Sequence, residues 1–73
     1  MPRKSAPCYA TEEQIVVVDR LEGSVFDKVQ NGMGYSDAMA ESNYIIFNAW
    51  LAGQTDGYAF GELAPIANNA IFQ

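Results

Sequence analysis

The sequence predicts an all-α protein, a small bundle of three to four helices. Three observations lead to this prediction. Apolar residues recur at three- and four-residue steps after Thr11, residues that favour helix caps precede the apolar segments, and glycine-containing turns separate them. Hydrophobic residues make up 49% of the 73 residues, which is enough for the core of one small domain.

The chain divides into a short arm and one domain. Residues 1–10 mix prolines with Arg3 and Lys4 and show no periodicity, so we expect a flexible basic arm followed by a single helical domain over 11–73. The only cysteine is Cys8 and there is no histidine, so neither an internal disulfide nor a typical zinc site is expected. No cofactor is expected, and a lone thiol suits a reducing cytoplasm.

The first helical segment begins at a capping box. In Thr11-Glu12-Glu13-Gln14, the threonine hydroxyl caps the helix and the glutamine reaches back to it. Gly23-Ser24 predicts a kink or a break, with Ser24 capping a second piece. The stretch 15–18 also fits a short strand, but helix is favoured because the apolar stripe continues for four turns. That stripe contains Ile15, Val18, Leu21, Val25 and Val29.

The rest of the chain predicts three shorter helices. The turn 31–34 ends the first segment, Ser36 caps a short helix to Ser42, and Ser42 or Asn43 caps the next. That helix runs from 44 to 52 and stops at Gly53. A last helix is predicted over 65–72, with a proline in its first turn.

The predicted helix over 44–52 is apolar on all sides except for Asn48. Such a helix is either buried in the core or shared with a partner. In the first case Tyr44 and Trp50 show only partly at the surface. In the second case Tyr44, Phe47 or Trp50 forms a binding patch, since tyrosine and tryptophan are enriched among interface hot spots.

The composition argues against an enzyme. Histidine, the commonest general acid or base, is absent, and Cys8 has no base fixed beside it. The sequence has no phosphate-binding glycine loop, and its carboxylates do not follow a calcium-loop spacing. We therefore expect an activity that depends on binding and not on catalysis.

The charge pattern argues against binding to nucleic acid. The formal net charge is -5, and no Lys or Arg occurs after Lys28. Nucleic-acid affinity comes largely from cations that neutralise phosphates. The negative charge indicates either a soluble acidic surface or a face that docks on a basic protein.

The segment 31–51, NGMGYSDAMAESNYIIFNAWL, resembles a helix-turn-helix and predicts such a unit at the centre of the fold. In helix-turn-helix proteins the second helix reads the major groove with Arg, Lys, Asn or Gln. Here the second helix has no cation, which weakens a DNA-binding interpretation. A helix-turn-helix DNA-binding regulator remains one alternative function, and an acidic inhibitor of a host defence enzyme is another.

Three features together resemble a known class of protein. The basic arm, the capped TEEQIVVVDRLEG helix and the NGMGYSDAMAES segment are similar to a small bacteriophage-encoded regulator of host RNA polymerase, a transcription inhibitor and antiterminator of a lytic Xanthomonas phage. The resemblance implies a helical fold and a partner in place of a substrate. That partner is bacterial RNA polymerase, contacted at the beta-prime N-terminal region and near the beta flap. The implied effects are displacement of sigma factor, inhibition of initiation and antitermination, all in the host bacterial cytoplasm.

The candidate partner-binding residues follow from side-chain chemistry and not from the resemblance. Arg3 and Lys4 offer charge, and Val16 offers an exposed apolar contact because it falls outside the stripe. Tyr44, Phe47 and Trp50 offer aromatic anchors. No catalytic residue, metal ligand, membrane contact or specific DNA contact is expected.

Overall fold

A computed structural model describes residues 10–68, and within that range every regular element is an α-helix. The predicted all-α class and the helical bundle are confirmed. The predicted arm, apart from Ala10, lies outside the described residues, as do residues 69–73. No helix in the described range is both long enough and apolar enough to cross a membrane. The four helices are α1 (Glu12–Arg20), α2 (Val25–Gln30), α3 (Tyr35–Leu51) and α4 (Phe60–Asn68).

Helix α1 begins at the predicted capping box. The Gln14 amide donates to Thr11 Oγ1 at 3.1 Å, and the Thr11 amide donates to Gln14 Oε1 at 3.0 Å. Both bonds satisfy amides that have no partner inside the helix. The stretch 15–18 lies within α1, so its helical interpretation is confirmed and the strand is excluded.

The predicted break at Gly23-Ser24 separates α1 from α2. Glu22 adopts a positive φ of 59°, which ends the helical path of the chain. Ser24 then caps α2, since its hydroxyl accepts from the Asp27 amide at 3.3 Å. After the break, α2 packs against α3 and α4.

Helix α3 is one continuous 17-residue helix, so the prediction of two helices over 36–52 is wrong. Gly34, and not Ser36, occupies the N-cap position. Ser42 caps nothing, because its side chain is completely buried within the helix. Ala38, Ser42 and Ile46 form a buried stripe at four-residue spacing, and the burial of this stripe extends the helix across the serine.

The helix-turn-helix predicted within 31–51 is therefore also wrong, because no turn interrupts α3. The turn 31–34 instead joins α2 to α3. Helix α3 ends as predicted, since Gly53 follows the C-cap with a φ of 71°.

Helix α4 begins at Phe60, and not at Pro65 as predicted. Glu62 supports the earlier start, because its Oε1 accepts from the Ala59 amide at 2.8 Å. Pro65 lies inside the helix and has no N–H to donate to the carbonyl of Gly61. Gly61 and Pro65 are both exposed, so the carbonyl that Pro65 cannot bond does not lie in the apolar core.

The core lies where α1, α3 and α4 meet. Helix α3 packs against α2 and α4, and α4 also packs against α1. Val18 and Val25 of the predicted stripe are fully buried, but Val29 is 40% exposed. Val17 is buried although its position in the sequence places it beside the stripe. The buried cluster consists of Val17, Val18, Ile46, Leu63, Ile66 and Ala67.

The lack of a side chain at Gly23 leaves room for Ile46 at the centre of this core. A Cβ atom built on Gly23 lies 2.8 Å from Ile46 Cδ1 and 2.9 Å from Ile46 Cγ1, closer than carbon atoms can approach. Ile46 is completely buried, and protein interiors are closely packed, so its side chain can move only at a cost in packing. A side chain at position 23 therefore forces the Ile46 side chain to shift from its position in the core.

Gly23→Ala should lower the free energy of unfolding by about 1–3 kcal/mol, because the added methyl group overpacks the core. The matched control is Gly61→Ala, since position 61 is helical and a Cβ there meets nothing within 4 Å. The control should raise stability by about 0.5–1 kcal/mol. Urea denaturation followed by circular dichroism measures both values, and equal effects of the two substitutions would contradict the close packing at Gly23.

Ser42→Ala should raise the free energy of unfolding by about 1 kcal/mol. The Ser42 hydroxyl is buried and has no hydrogen-bond partner within 10–68, and alanine is the better helix former. Ser36→Ala, at an exposed site on the same helix, should change stability by less than about 0.5 kcal/mol. Thermal denaturation tests the pair, and a loss of stability in Ser42→Ala would show that the hydroxyl is satisfied.

Candidate protein-docking surface

Helix α3 has two faces that differ in burial. One face carries the buried stripe and is held by α2 and α4. The other face turns away from the core and is exposed, and over the C-terminal half of the helix it is also apolar. An amphipathic helix normally presents polar residues there, so this apolar face requires a separate explanation.

The exposed residues form a patch that we call the aromatic face, defined as Tyr44, Phe47, Trp50 and Leu51. Their exposed fractions are 70%, 42%, 42% and 62%. Tyr44, Phe47 and Trp50 follow at three-residue steps, and Leu51 lies four residues after Phe47, so the side chains lie on one side of the helix. The aromatic face extends over the C-terminal half of α3.

Ring contacts hold the centre of the aromatic face in place. The centroids of Phe47 and Trp50 lie 5.7 Å apart at an interplanar angle of 45°. Phe47 also meets Phe60 of α4 edge to face, with centroids 5.4 Å apart. Such pairs contribute about 0.5–1.5 kcal/mol beyond the area that they bury. Phe47 is therefore anchored to the bundle while part of its ring remains exposed.

The single amide in this part of α3 does not make the face polar. Asn48 Nδ2 donates to the carbonyl of Tyr44 at 2.9 Å, one turn back along the same helix. This local bond occupies one of its two amide protons. Contacts through the aromatic face are consequently dominated by ring and aliphatic surface.

The sequence-predicted partner-binding residues separate into three groups. Tyr44, Phe47 and Trp50 lie together on α3, and all three are exposed. Val16 lies on α1, where it is 58% exposed and lines a groove with Tyr58. Arg3 and Lys4 lie outside the described residues.

Two residues next to the predicted ones were missed. Leu51 is 62% exposed. Its position one turn after Phe47 could have indicated from the sequence that it lies on the same side of the helix. Phe60 contributes an edge-to-face contact from α4, which no local pattern indicates. Within 10–68, no group of three or more acidic, cysteine or histidine side chains is arranged to hold a metal ion.

Comparison with protein-family models, curated proteins and solved structures finds no match to this chain.

Tyr44→Ala should change the free energy of unfolding by less than about 0.5 kcal/mol, because the ring is mostly exposed. Ile46→Ala, two positions away on the buried face, should cost about 2–5 kcal/mol. Trp50 fluorescence during urea denaturation can measure both. Similar losses in the two variants would mean that the aromatic face supports the fold and is not free for a partner.

Proposed function

We propose that this chain is a non-catalytic regulator that binds another protein through the aromatic face of α3. The observation that carries the proposal is the exposure of Tyr44, Phe47 and Trp50 on one side of a helix whose other side forms the core. Aromatic anchors of this kind dominate the binding energy of many protein interfaces.

The charge distribution supports a protein partner over a nucleic acid. The sequence contains no Lys or Arg from 29 to 73, a range that includes all of α3 and α4. The charged residues of α3, Asp37 and Glu41, are both acidic and exposed. Phosphates would be repelled from this helix, whereas a basic protein surface would attract it.

The proposed partner is bacterial RNA polymerase, in line with the resemblance of the sequence to a phage-encoded polymerase regulator. The chain would contact the beta-prime N-terminal region and the beta flap in the host bacterial cytoplasm. Polymerase surfaces that hold nucleic acid are basic, and an acidic chain is steered toward them.

Such binding can regulate transcription without chemistry. A partner that binds one state of the polymerase more tightly shifts the equilibrium toward that state. Occupying a surface needed by sigma factor inhibits initiation, and remaining bound near the RNA exit channel promotes antitermination. The two proposed effects, inhibition of initiation and antitermination, require only binding and no catalysis.

Tyr44→Ala and Trp50→Ala should each weaken binding to core RNA polymerase by at least about tenfold, because each removes an aromatic anchor. Biolayer interferometry with immobilised Xanthomonas core enzyme measures the dissociation constants of the full-length variants. The matched control is Tyr35→Ala, which removes a 52% exposed tyrosine from the opposite end of the same helix. The control should bind like the parent chain.

Equal losses in the Tyr35 and Tyr44 variants would contradict docking through the aromatic face. Failure of the parent chain to bind core polymerase would contradict the proposed partner. A specific shift of duplex DNA at about 0.15 M salt without polymerase would favour the alternative DNA-binding regulator.

A further inference from the structure

A second surface feature is an open groove between α1 and the loop that precedes α4. Its volume is about 520 Å³, within the range of roughly 300–1,000 Å³ that is typical of ligand pockets. The groove is lined by Glu12, Glu13, Val16, Val17, Asp56 and Tyr58.

The groove has apolar lining as well as carboxylates. Val16 contributes an isopropyl group that is 58% exposed, and Val17 lies next to it at the edge of the core. Tyr58, which is partly buried, adds an aromatic ring that packs against the core. An occupant therefore gains from covering Val16 and the exposed part of Tyr58 with aliphatic or aromatic surface of its own, whereas Val17 is already buried.

Hydrogen bonds fix the wall of the groove that faces α1. The Tyr58 hydroxyl donates to Glu13 Oε1 at 3.2 Å and so joins the loop to the helix. The buried Thr55 hydroxyl donates to the Tyr58 carbonyl at 2.6 Å. Arg20 also ties the loop to α1, because its guanidinium donates to the Gln54 carbonyl at 3.1 Å. These hydrogen bonds between the loop and α1 hold the groove in its shape.

The groove carries an excess of negative charge. Asp56 has a cationic partner, since Arg20 lies 3.4 Å from its carboxylate. Within the described residues, no ion pair neutralises Glu12 or Glu13. The N-terminus of α1 contributes a partial charge of only about +0.5, which two full carboxylates outweigh. The occupant that this field favours is cationic.

We propose that the groove accepts an arginine side chain from the bound protein. The aliphatic stem of arginine covers Val16 while its guanidinium reaches the carboxylates. Its planar fork makes paired bonds to a carboxylate and stacks on an aromatic ring such as that of Tyr58. Lysine offers a more strongly hydrated point charge without the stacking plane. The inference rests on the proposed protein-binding function but does not require that the partner is polymerase.

The test is a titration of the full-length, ¹⁵N-labelled chain with the peptide acetyl-Gly-Ala-Arg-Ala-Gly-amide. Amide shifts should concentrate at residues 13–17 and 55–58, and they should weaken as salt rises because charges are screened. The control peptide replaces arginine with citrulline, a neutral group of the same shape, and should cause no localised shifts. A lysine peptide should bind several-fold more weakly than the arginine peptide.

Variants of the chain locate the site. Glu13→Gln and Val16→Ser should each weaken peptide binding by about fivefold, through loss of charge and of apolar contact respectively. Asp37→Asn removes the same charge from an exposed site on α3 and should leave the affinity unchanged. Equal losses in Glu13→Gln and Asp37→Asn, or binding of citrulline as tight as that of arginine, would overturn the inference.

The two proposals fail separately. If the chain binds the arginine peptide but not core polymerase, the proposed partner is contradicted and the arginine site is supported. If the chain binds polymerase through the aromatic face but the peptide causes no shifts at the groove, the proposed function is supported and the arginine site is contradicted.

Discussion

The contact between Ile46 and the backbone of Gly23 is the constraint on which the remaining structure depends. The absence of a side chain at position 23 lets the isoleucine lie completely buried, among valines of α1 and apolar residues of α4. When Ile46 packs against the backbone of Gly23, the rotation of α3 about its axis is fixed. Tyr44 then points away from the core, and Phe47 lies at its edge against Phe60, because positions one or two residues apart on a helix lie on different faces.

The small size of the chain leaves an exposed apolar surface on this side of α3. A domain of about 60 residues buries only about 60% of the surface of its unfolded chain. Such a domain cannot cover both faces of a helix that is apolar all round. The aromatic face is consequently left exposed, and a partner protein that covers it gains the hydrophobic free energy that folding alone does not capture. In our proposal, the acidic groove beside α1 adds charge selectivity to the apolar contact with the partner.

Local signals in the sequence predicted local structure, and long-range packing decided the rest. The capping box at Thr11 and the break at Gly23 were predictable because neighbouring residues determine them. The interruption predicted at Ser42 was wrong, since serine favours a cap by itself but here its position belongs to a buried stripe. The exposure of Val16 was predictable from the stripe. The groove was not, because Tyr58 reaches Glu13 across 45 positions of the chain.

Hydroxyl-radical footprinting by mass spectrometry tests the central claim most directly, because it reports the exposure of both ends of α3 in one sample. In the free chain, Tyr35, Tyr44 and Trp50 should all be oxidised readily, since all three are exposed. Added core RNA polymerase should protect Tyr44 and Trp50 but leave Tyr35 reactive. Slow oxidation of Tyr44 and Trp50 in the free chain, or equal reactivity of all three residues with and without bound polymerase, would contradict the account.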